Sequence, residues 1–433
     1  MFSDRGPVIG WEGAIAIVVL GATYALIVWR EPHRLLIAGL GAAVVLILGL
    51  VPIGALAPTS IDGEGSVVSW NTLALLLGLF LLTGLLSVLG VFRYLAAELV
   101  RHSRGRPAYL YVSLALLAAG LSAVLSSLAV IVFLAVLTLE VCRSVRLNPV
   151  PFLLLEIAAA NAGSIATTMG NPPNVILGGA FGLGLTAFLV HVGPIAVAAL
   201  ALALGWIYWV THHDEPSGIP AASEPLPELD RSRVAAALGA LLVVVGLLVV
   251  QVPLAIPIWV IGLVAGLLAL AIAGTRYVRR VVREIHWDVL FFFLALFILV
   301  GGLEYTGVLT AIGEGIAALA IGSALVAGIV LLWSLGLLSA LIDSVPLAAA
   351  STTIISTVSA SLGVPVQSLV WATAAGTGLG GNATPIGAPA NVIGVSTFRR
   401  AGRPISWRMY VRVMLPLTLL SLGAATGLWV LLQ

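Results

Sequence analysis

The chain has 433 residues, of which 61% are hydrophobic and only 9% charged, with a formal net charge of +2. Soluble domains carry about 25% charged residues, so a soluble fold is excluded, and the spanning elements should be helices, whose backbone bonds close internally in lipid. The alternating short strands of a transmembrane barrel are absent, and a single cysteine, Cys142, excludes an intramolecular disulfide or a multi-cysteine metal site.

Residues 1–12 hold Asp4, Arg5 and Glu12 without a cleavable signal pattern, so the first apolar segment reads as a retained helix. Apolar runs long enough to span fall at 13–29, 35–51, 71–90, 185–210, 233–250, 258–274, 287–302 and 410–432. The stretches 91–106 and 303–320 mix apolar and charged residues and read as amphipathic helices on opposite membrane faces. Segments 107–142 and 321–361 place apolar sequence on both sides of a small polar cluster and read as hairpins. Segments 150–183 and 366–398 are interrupted by Gly, Pro, Asn and Thr and read as broken helices. The stretch 211–232, with His212, His213, Asp214, Glu215 and Arg231, reads as a solvated connector rather than a metal site. Cys142 reads as a small apolar filler.

A shift of 217 positions, without a gap, lays residues 70–174 on residues 287–391. It pairs Trp70 with Trp287, Gly84 with Gly301, Gly163 with Gly380, Thr167 with Thr384, Gly170 with Gly387 and Asn174 with Asn391. Chance pairs of Leu and Val mean little in so apolar a chain; matched Gly, Trp, Thr and Asn at one offset indicate a duplication.

All 20 basic residues are arginine, and all but Arg5 cluster near 30–34, 93–106, 143–146, 231–233, 276–283 and 399–412. Every cluster falls on the cytoplasmic side if each hairpin enters and leaves by the same face. The 36 residues from Pro107 to Cys142 fall short of the roughly 40 that two full crossings need, so the hairpins read as re-entrant. The expectation is an all-α polytopic membrane protein of two inverted repeats, each with five transmembrane helices, one re-entrant hairpin and one broken helix. The repeats are 1–210 and 233–433, joined by a cytoplasmic linker at 211–232, with both termini outside the inner membrane.

Four elements carry the chemistry: the breaks NAGSIATTMGNPPN (161–174) and GLGGNATPIGAPAN (378–391), and the hairpin tips Ser126-Ser127 and Asp343-Ser344. A helix broken at depth frees N–H groups that attract an anion or oxygen-rich solute, and carbonyls that attract a cation or proton donor. The candidate binding residues are Ser126, Ser127, Asn161, Thr167, Thr168, Asn171, Asn174, Ser344, Asn382, Thr384 and Asn391. Asp343, at a hairpin tip beside Pro346 and far in sequence from any arginine, is the first candidate to carry a proton. Glu156, opening the first broken helix, is the second, with an interfacial pair to Arg146 as its other reading. Glu140 reads as a local partner of Arg143, Asp288 as a helix-start acid and His191 as a packing residue.

On these residues the chain resembles the ion-transporter superfamily that includes arsenite permeases, NhaD-type sodium/proton antiporters and the melanosomal P protein. It is also similar to plant silicon-efflux carriers and, more distantly, to divalent-anion/sodium symporters. GNPPN at 170–174 and GGNATPIGAPANVIG at 380–394 carry the resemblance, with WDVLFFFLALFILVGGLEYTGV at 287–308, ALIDSVPLAAA at 340–350 and ISWRMYVRVMLPLTLL at 405–420. The resemblance implies that each hairpin tip meets a broken-helix loop to form a half-site for solute and coupling ion. Ser126, Ser127, Thr167, Thr168, Asn171 and Asn174 would form one half-site, and Asp343, Ser344, Asn382, Thr384 and Asn391 the other. It also implies a transport domain moving against a scaffold, often in a homodimer. The tips differ from the family's usual pattern: Ser126-Ser127 replaces an amide-bearing tip, and Ser344 stands where Asn is common.

Fewer acids and amides favour a small metalloid oxyacid, such as arsenite or silicic acid, exported in exchange for a proton by alternating access. Hydroxyls and amides can replace the hydration of such a neutral solute without a counter-charge. A sodium/proton antiporter and a sodium-coupled anion or carboxylate carrier are the other transport readings. A channel would need no inverted hairpins, and an intramembrane protease would need HExxH, or GxSG with a His. The expected partners are thus an oxyacid or oxyanion and the bilayer, with proton (or sodium) as coupling ion, no metal, no other cofactor and no nucleic acid.

Overall fold

A computed structural model describes residues 10–29, 33–57, 66–91, 94, 98, 101–102, 106–125, 127–144, 147–211, 230–250, 254–285, 287–320, 322–341 and 344–432. Among them are eighteen α-helices and no strand. The first half holds α1 (Trp11–Trp29), α2 (Arg34–Ile47), α3 (Trp70–Val88), α4 (Pro107–Val124), α5 (Ser127–Ser144), α6 (Pro149–Ile165), α7 (Pro172–Phe181), α8 (Leu185–His191) and α9 (Gly193–Thr211). The second holds α10 (Arg231–Val250), α11 (Ile258–Arg283), α12 (Trp287–Tyr305), α13 (Val308–Leu319), α14 (Ala324–Ser339), α15 (Ser344–Leu362), α16 (Val366–Gly380), α17 (Pro389–Arg400) and α18 (Trp407–Leu431).

The 217-residue shift carries the first residues of α3, α4, α5, α6 and α7 onto those of α12, α14, α15, α16 and α17. Packing between the halves also corresponds. A Cβ at Gly84 would meet Glu284 at 3.0 Å, and one at Gly301 would meet Val67 at 2.0 Å. The partners map onto each other with the halves having traded places.

Among the described residues, seven helices (α3, α4, α9, α10, α11, α12 and α18) are each long and apolar enough to cross a membrane. The apolar stretches of α1 and α2 are shorter, at 11–27 and 35–47. Large apolar side chains such as Val197, Trp209, Leu242, Leu267 and Leu337 are exposed on the outside of the bundle, as lipid-facing positions require. The run at 185–210 is two helices, because Gly193-Pro194 starts a new one after Val192. α7 and α8 meet at 111°. Each arm of the first hairpin has 18 residues, or about 27 Å of helix, close to the roughly 30 Å hydrocarbon core. Of the first amphipathic stretch, the described residues Val91, Tyr94, Glu98, Arg101 and His102 are helical, and Arg101 pairs with Glu98 at 2.8 Å.

Lipid offers little drive for apolar helices to associate, so close backbone packing must hold them. Gly78 on α3 and Gly262 on α11 cross so closely that a Cβ on Gly78 would lie 1.9 Å from the Gly262 carbonyl oxygen. The broken helices form the centre: all of α6 except Val150 is buried, as is α16 from Leu369 onward.

Candidate functional site

Both broken helices stop at buried bends and restart on proline. α6 ends at Ile165 and α7 starts at Pro172. α16 ends at Gly380, makes one 3-10 turn (Gly381–Ala383) and α17 starts at Pro389. Proline suits a first helical position because its fixed φ is already helical and no N–H is wasted there.

Each bend is held by the same two side chains. Thr167 Oγ1 donates to the Ala123 carbonyl, and Thr384 Oγ1 to the Ala340 carbonyl. Asn174 Nδ2 donates to Ile165 O (2.9 Å) and Thr167 O (2.8 Å). Asn391 Nδ2 donates to Gly381 O (2.8 Å) and Thr384 O (2.9 Å). The two asparagines therefore satisfy carbonyls that the breaks would leave bare, and the two threonines pin the bends to carbonyls at the hairpin tips. The bends also press on the hairpins: a Cβ at Gly163 would lie 2.1 Å from Ala119 O, and one at Gly380 would lie 2.0 Å from Gly336 O. At the first tip, Ser127 N donates to Gly170 O at 3.1 Å.

A pocket opens where the bends and hairpins meet, lined by Phe80, Ser127, Leu128, Asn161, Asn171, Pro172, Val289, Phe293, Ser344, Val345, Gly378, Ala388 and Pro389. The cavity is small, about 20 Å³, room for little more than one water molecule in this conformation. Ten of these residues form five repeat pairs: Ser127 with Ser344, Leu128 with Val345, Asn161 with Gly378, Asn171 with Ala388, and Pro172 with Pro389. Helices α5, α7, α15 and α17 all begin here. Four helix starts thus border the pocket with the positive ends of their dipoles, while α4, α6, α14 and α16 end close by.

Of the sequence candidates, Ser127, Asn161, Asn171 and Ser344 line the pocket. Thr167, Asn174, Thr384 and Asn391 brace the bends instead. Asn382 accepts from Asn161 Nδ2 at 2.7 Å, and Asn391 Oδ1 accepts from the same nitrogen at 2.9 Å. Asn161 is thus joined to the second break, although the repeat shift pairs it with Gly378. Thr168 is buried, with no partner for its hydroxyl among the described residues. Ser126, Asp343 and Arg146 lie outside the described residues, as do the side chains of Glu140 and Arg143.

Glu156 is buried on α6, away from the pocket lining; Thr138 of α5 donates to its Oε1, and Oε2 has no partner among the described residues. Asp288 lies in the first turn of α12. His191 stacks on Trp371 with centroids 4.9 Å apart, and its Nδ1 is 2.9 Å from Ala187 O. Cys142 is buried. Among the described residues no group of three or more His, Cys, Asp or Glu is placed to hold a metal. Phe80, Val289 and Phe293 of the lining carry no sequence signal, being apolar residues of apolar helices. Gly378 does: a Cβ there would lie 2.1 Å from Ile165 Cγ2 and 3.4 Å from Asn171 Nδ2.

The fold is similar to that of the YdaH transporter of Alcanivorax borkumensis, described as having an unusual topology. The TM-score is 0.57 at 18% identity, over 97% of this chain and 98% of that one. An uncharacterized transporter of Mycobacterium bovis is 31% identical over 427 residues, spanning 96% of this chain and 97% of that protein. The 46 kDa membrane protein of Mycobacterium leprae is 32% identical over 95% of this chain and 96% of its own. The human P protein is 28% identical over 94% of this chain, which spans 58% of that longer protein. Fold, site and relatives together define a multi-pass membrane transporter. The family model for citrate transporters matches residues 24–376, and the chain belongs to that family.

Proposed function

We propose that the protein is a proton-coupled secondary carrier for a small oxygen-rich solute, held in the pocket between the two breaks and released to either side by alternating access. The convergence of four helix N-termini on that pocket carries the reading. Their summed dipoles favour the oxygens of an anion such as a carboxylate. The description of the matched family as citrate transporters supports the same class. The lining has no charged side chain among the described residues, and that favours the neutral members of the class, arsenite and silicic acid, as the second reading.

The exchanged contacts of Gly84 and Gly301 support a two-fold axis between the halves. We place that axis in the plane of the inner membrane, which makes the repeats inverted; with the hairpins entering and leaving by the same face, the arginine clusters are cytoplasmic and both termini outside. Asp343 would carry the coupled proton, and Glu156 is the next candidate.

The test is flux into proteoliposomes under an imposed pH gradient, with citrate, succinate, arsenite, silicic acid and sodium in parallel arms. Uptake or efflux of at least one oxygenated solute that collapses with the gradient is the expected result, and Asp343→Asn abolishes that coupling. Gradient-driven movement of sodium alone would overturn the solute class.

A further inference from the structure

The hydrogen bonds at the pocket edge fix which atom of Asn161 meets the solute. Asn391 turns its Nδ2 to two backbone carbonyls, Gly381 O and Thr384 O, at 2.8 and 2.9 Å. Carbonyls only accept, so this amide cannot be flipped. Its Oδ1 must then accept, and it does so from Asn161 Nδ2 at 2.9 Å. Asn161 Nδ2 gives its other proton to Asn382 Oδ1 at 2.7 Å. Both N–H bonds of Asn161 are thereby committed to the second break. Its Oδ1, on a residue that lines the pocket, accepts no hydrogen bond from the described residues and keeps some exposure to the cavity.

A carbonyl oxygen open to an enclosed cavity calls for a proton donor or a cation. The surroundings decide between them: the lining comes from the starts of α5, α7, α15 and α17, and carbonyls at the ends of the preceding helices are taken by Thr167, Asn174, Thr384 and Asn391, which leaves too few oxygens for a cation's shell and an O–H group as the fitting partner. The polarity of the pocket is also one-sided. Gly378 and Ala388 stand where the repeat would place the mates of Asn161 and Asn171, so both amides of the lining come from the first half.

We infer that Asn161 is a specificity-determining residue whose Oδ1 accepts a hydrogen bond from a hydroxyl of the solute, so that the carrier selects hydroxyl-bearing oxyacids over their deoxy analogues. This rests on the carrier reading above and narrows its solute class. Plain carboxylates present only acceptors at neutral pH and leave the Asn161 oxygen unpaired. A hydroxycarboxylate satisfies it while its carboxylate oxygens lie against the helix starts. Sites built around a solute hydroxyl reject the analogue that lacks it far more strongly than a shape difference of one atom would.

The test is equilibrium binding to the purified full chain in lipid nanodiscs, using two matched pairs: malate against succinate, and citrate against propane-1,2,3-tricarboxylate. In the wild type the hydroxylated member of a pair should bind tighter by about tenfold or more. Asn161→Ala should bring that ratio close to one. Asn382→Ala keeps the Asn161 side chain but loosens its orientation, and should give an intermediate ratio. It also serves where Asn161→Ala fails to fold. Equal binding within both pairs in the wild type would overturn the inference, as would a ratio unchanged in Asn161→Ala and Asn382→Ala. Absence of saturable binding by all four acids, with arsenite and silicic acid also unbound, would instead overturn the oxygen-rich solute itself.

Discussion

The two breaks share one scaffold and differ in what they leave open. At the second break, Ser339 Oγ donates to Thr377 O at 2.7 Å, and Asn391 uses its two donors and its acceptor. At the first, the repeat mates Ser122 Oγ and Asn174 Oδ1 are buried without a partner among the described residues, and Thr168 Oγ1 joins them. Its bend also starts α7 on Pro172-Pro173, which removes two of the N–H donors a helix start normally offers. The two halves thus share the features that shape a break, namely the Thr and Asn braces and the glycines under the hairpin. Of the pocket lining, Ser127 and Pro172 keep their counterparts Ser344 and Pro389, whereas the amides Asn161 and Asn171 correspond to Gly378 and Ala388. The second break works as a fixed abutment that orients Asn161; the first supplies the amides.

If the shared features only shape the bends, paired substitutions should cost the same in both halves. The largest effect is expected at Gly163→Ala and Gly380→Ala, where the new Cβ would meet a backbone oxygen at 2.1 and 2.0 Å. Each should cost more than about 4 kcal/mol, seen as loss of the monodisperse peak in detergent chromatography. Gly423→Ala, with open space around it, should leave that peak intact. A tolerated alanine at one member of the pair would show that the bends are not equivalent.

A smaller effect separates the halves. Asn174→Ala and Asn391→Ala each leave two carbonyls unpaired, but Asn391→Ala also strands one N–H of Asn161. Thermal unfolding followed by tryptophan fluorescence should place Asn391→Ala about 1–2 kcal/mol below Asn174→Ala. Equal costs would mean that the Asn161 contact contributes nothing. The smallest difference is expected at the serines: Ser339→Ala should lose about 1 kcal/mol in chemical denaturation and Ser122→Ala none, since only Ser339 makes a bond. The reverse order would place an unseen partner on Ser122.

Much of this was legible in the residues. Matched Gly, Thr and Asn gave the duplication, and Pro172 and Pro389 marked where the broken helices restart. Ser127 and Ser344 were found because a polar pair at hairpin tips is conspicuous in an apolar chain. What the sequence could not supply was contact across the repeats. A constant shift pairs Asn161 with Gly378, whereas packing brings it to Asn382 and Asn391, and no periodicity encodes that. Thr167, Asn174, Thr384 and Asn391 carry the right chemistry for a solute, yet backbone carbonyls at the bends and hairpin tips take their donors first. Phe80 and Phe293 are hidden by composition. The split at Gly193-Pro194 had a local signal, but an apolar run on both sides masked it.

The central claim is that one solute sits between the two hairpin tips, against Ser127 and Ser344 together. Replace Cys142 with Ala, introduce Ser127→Cys or Ser344→Cys, and follow alkylation by a membrane-permeant thiol reagent as solute is added. Protection at both positions with the same half-saturating concentration is the predicted result. Protection at one position alone, or at neither while transport is saturated, would contradict it.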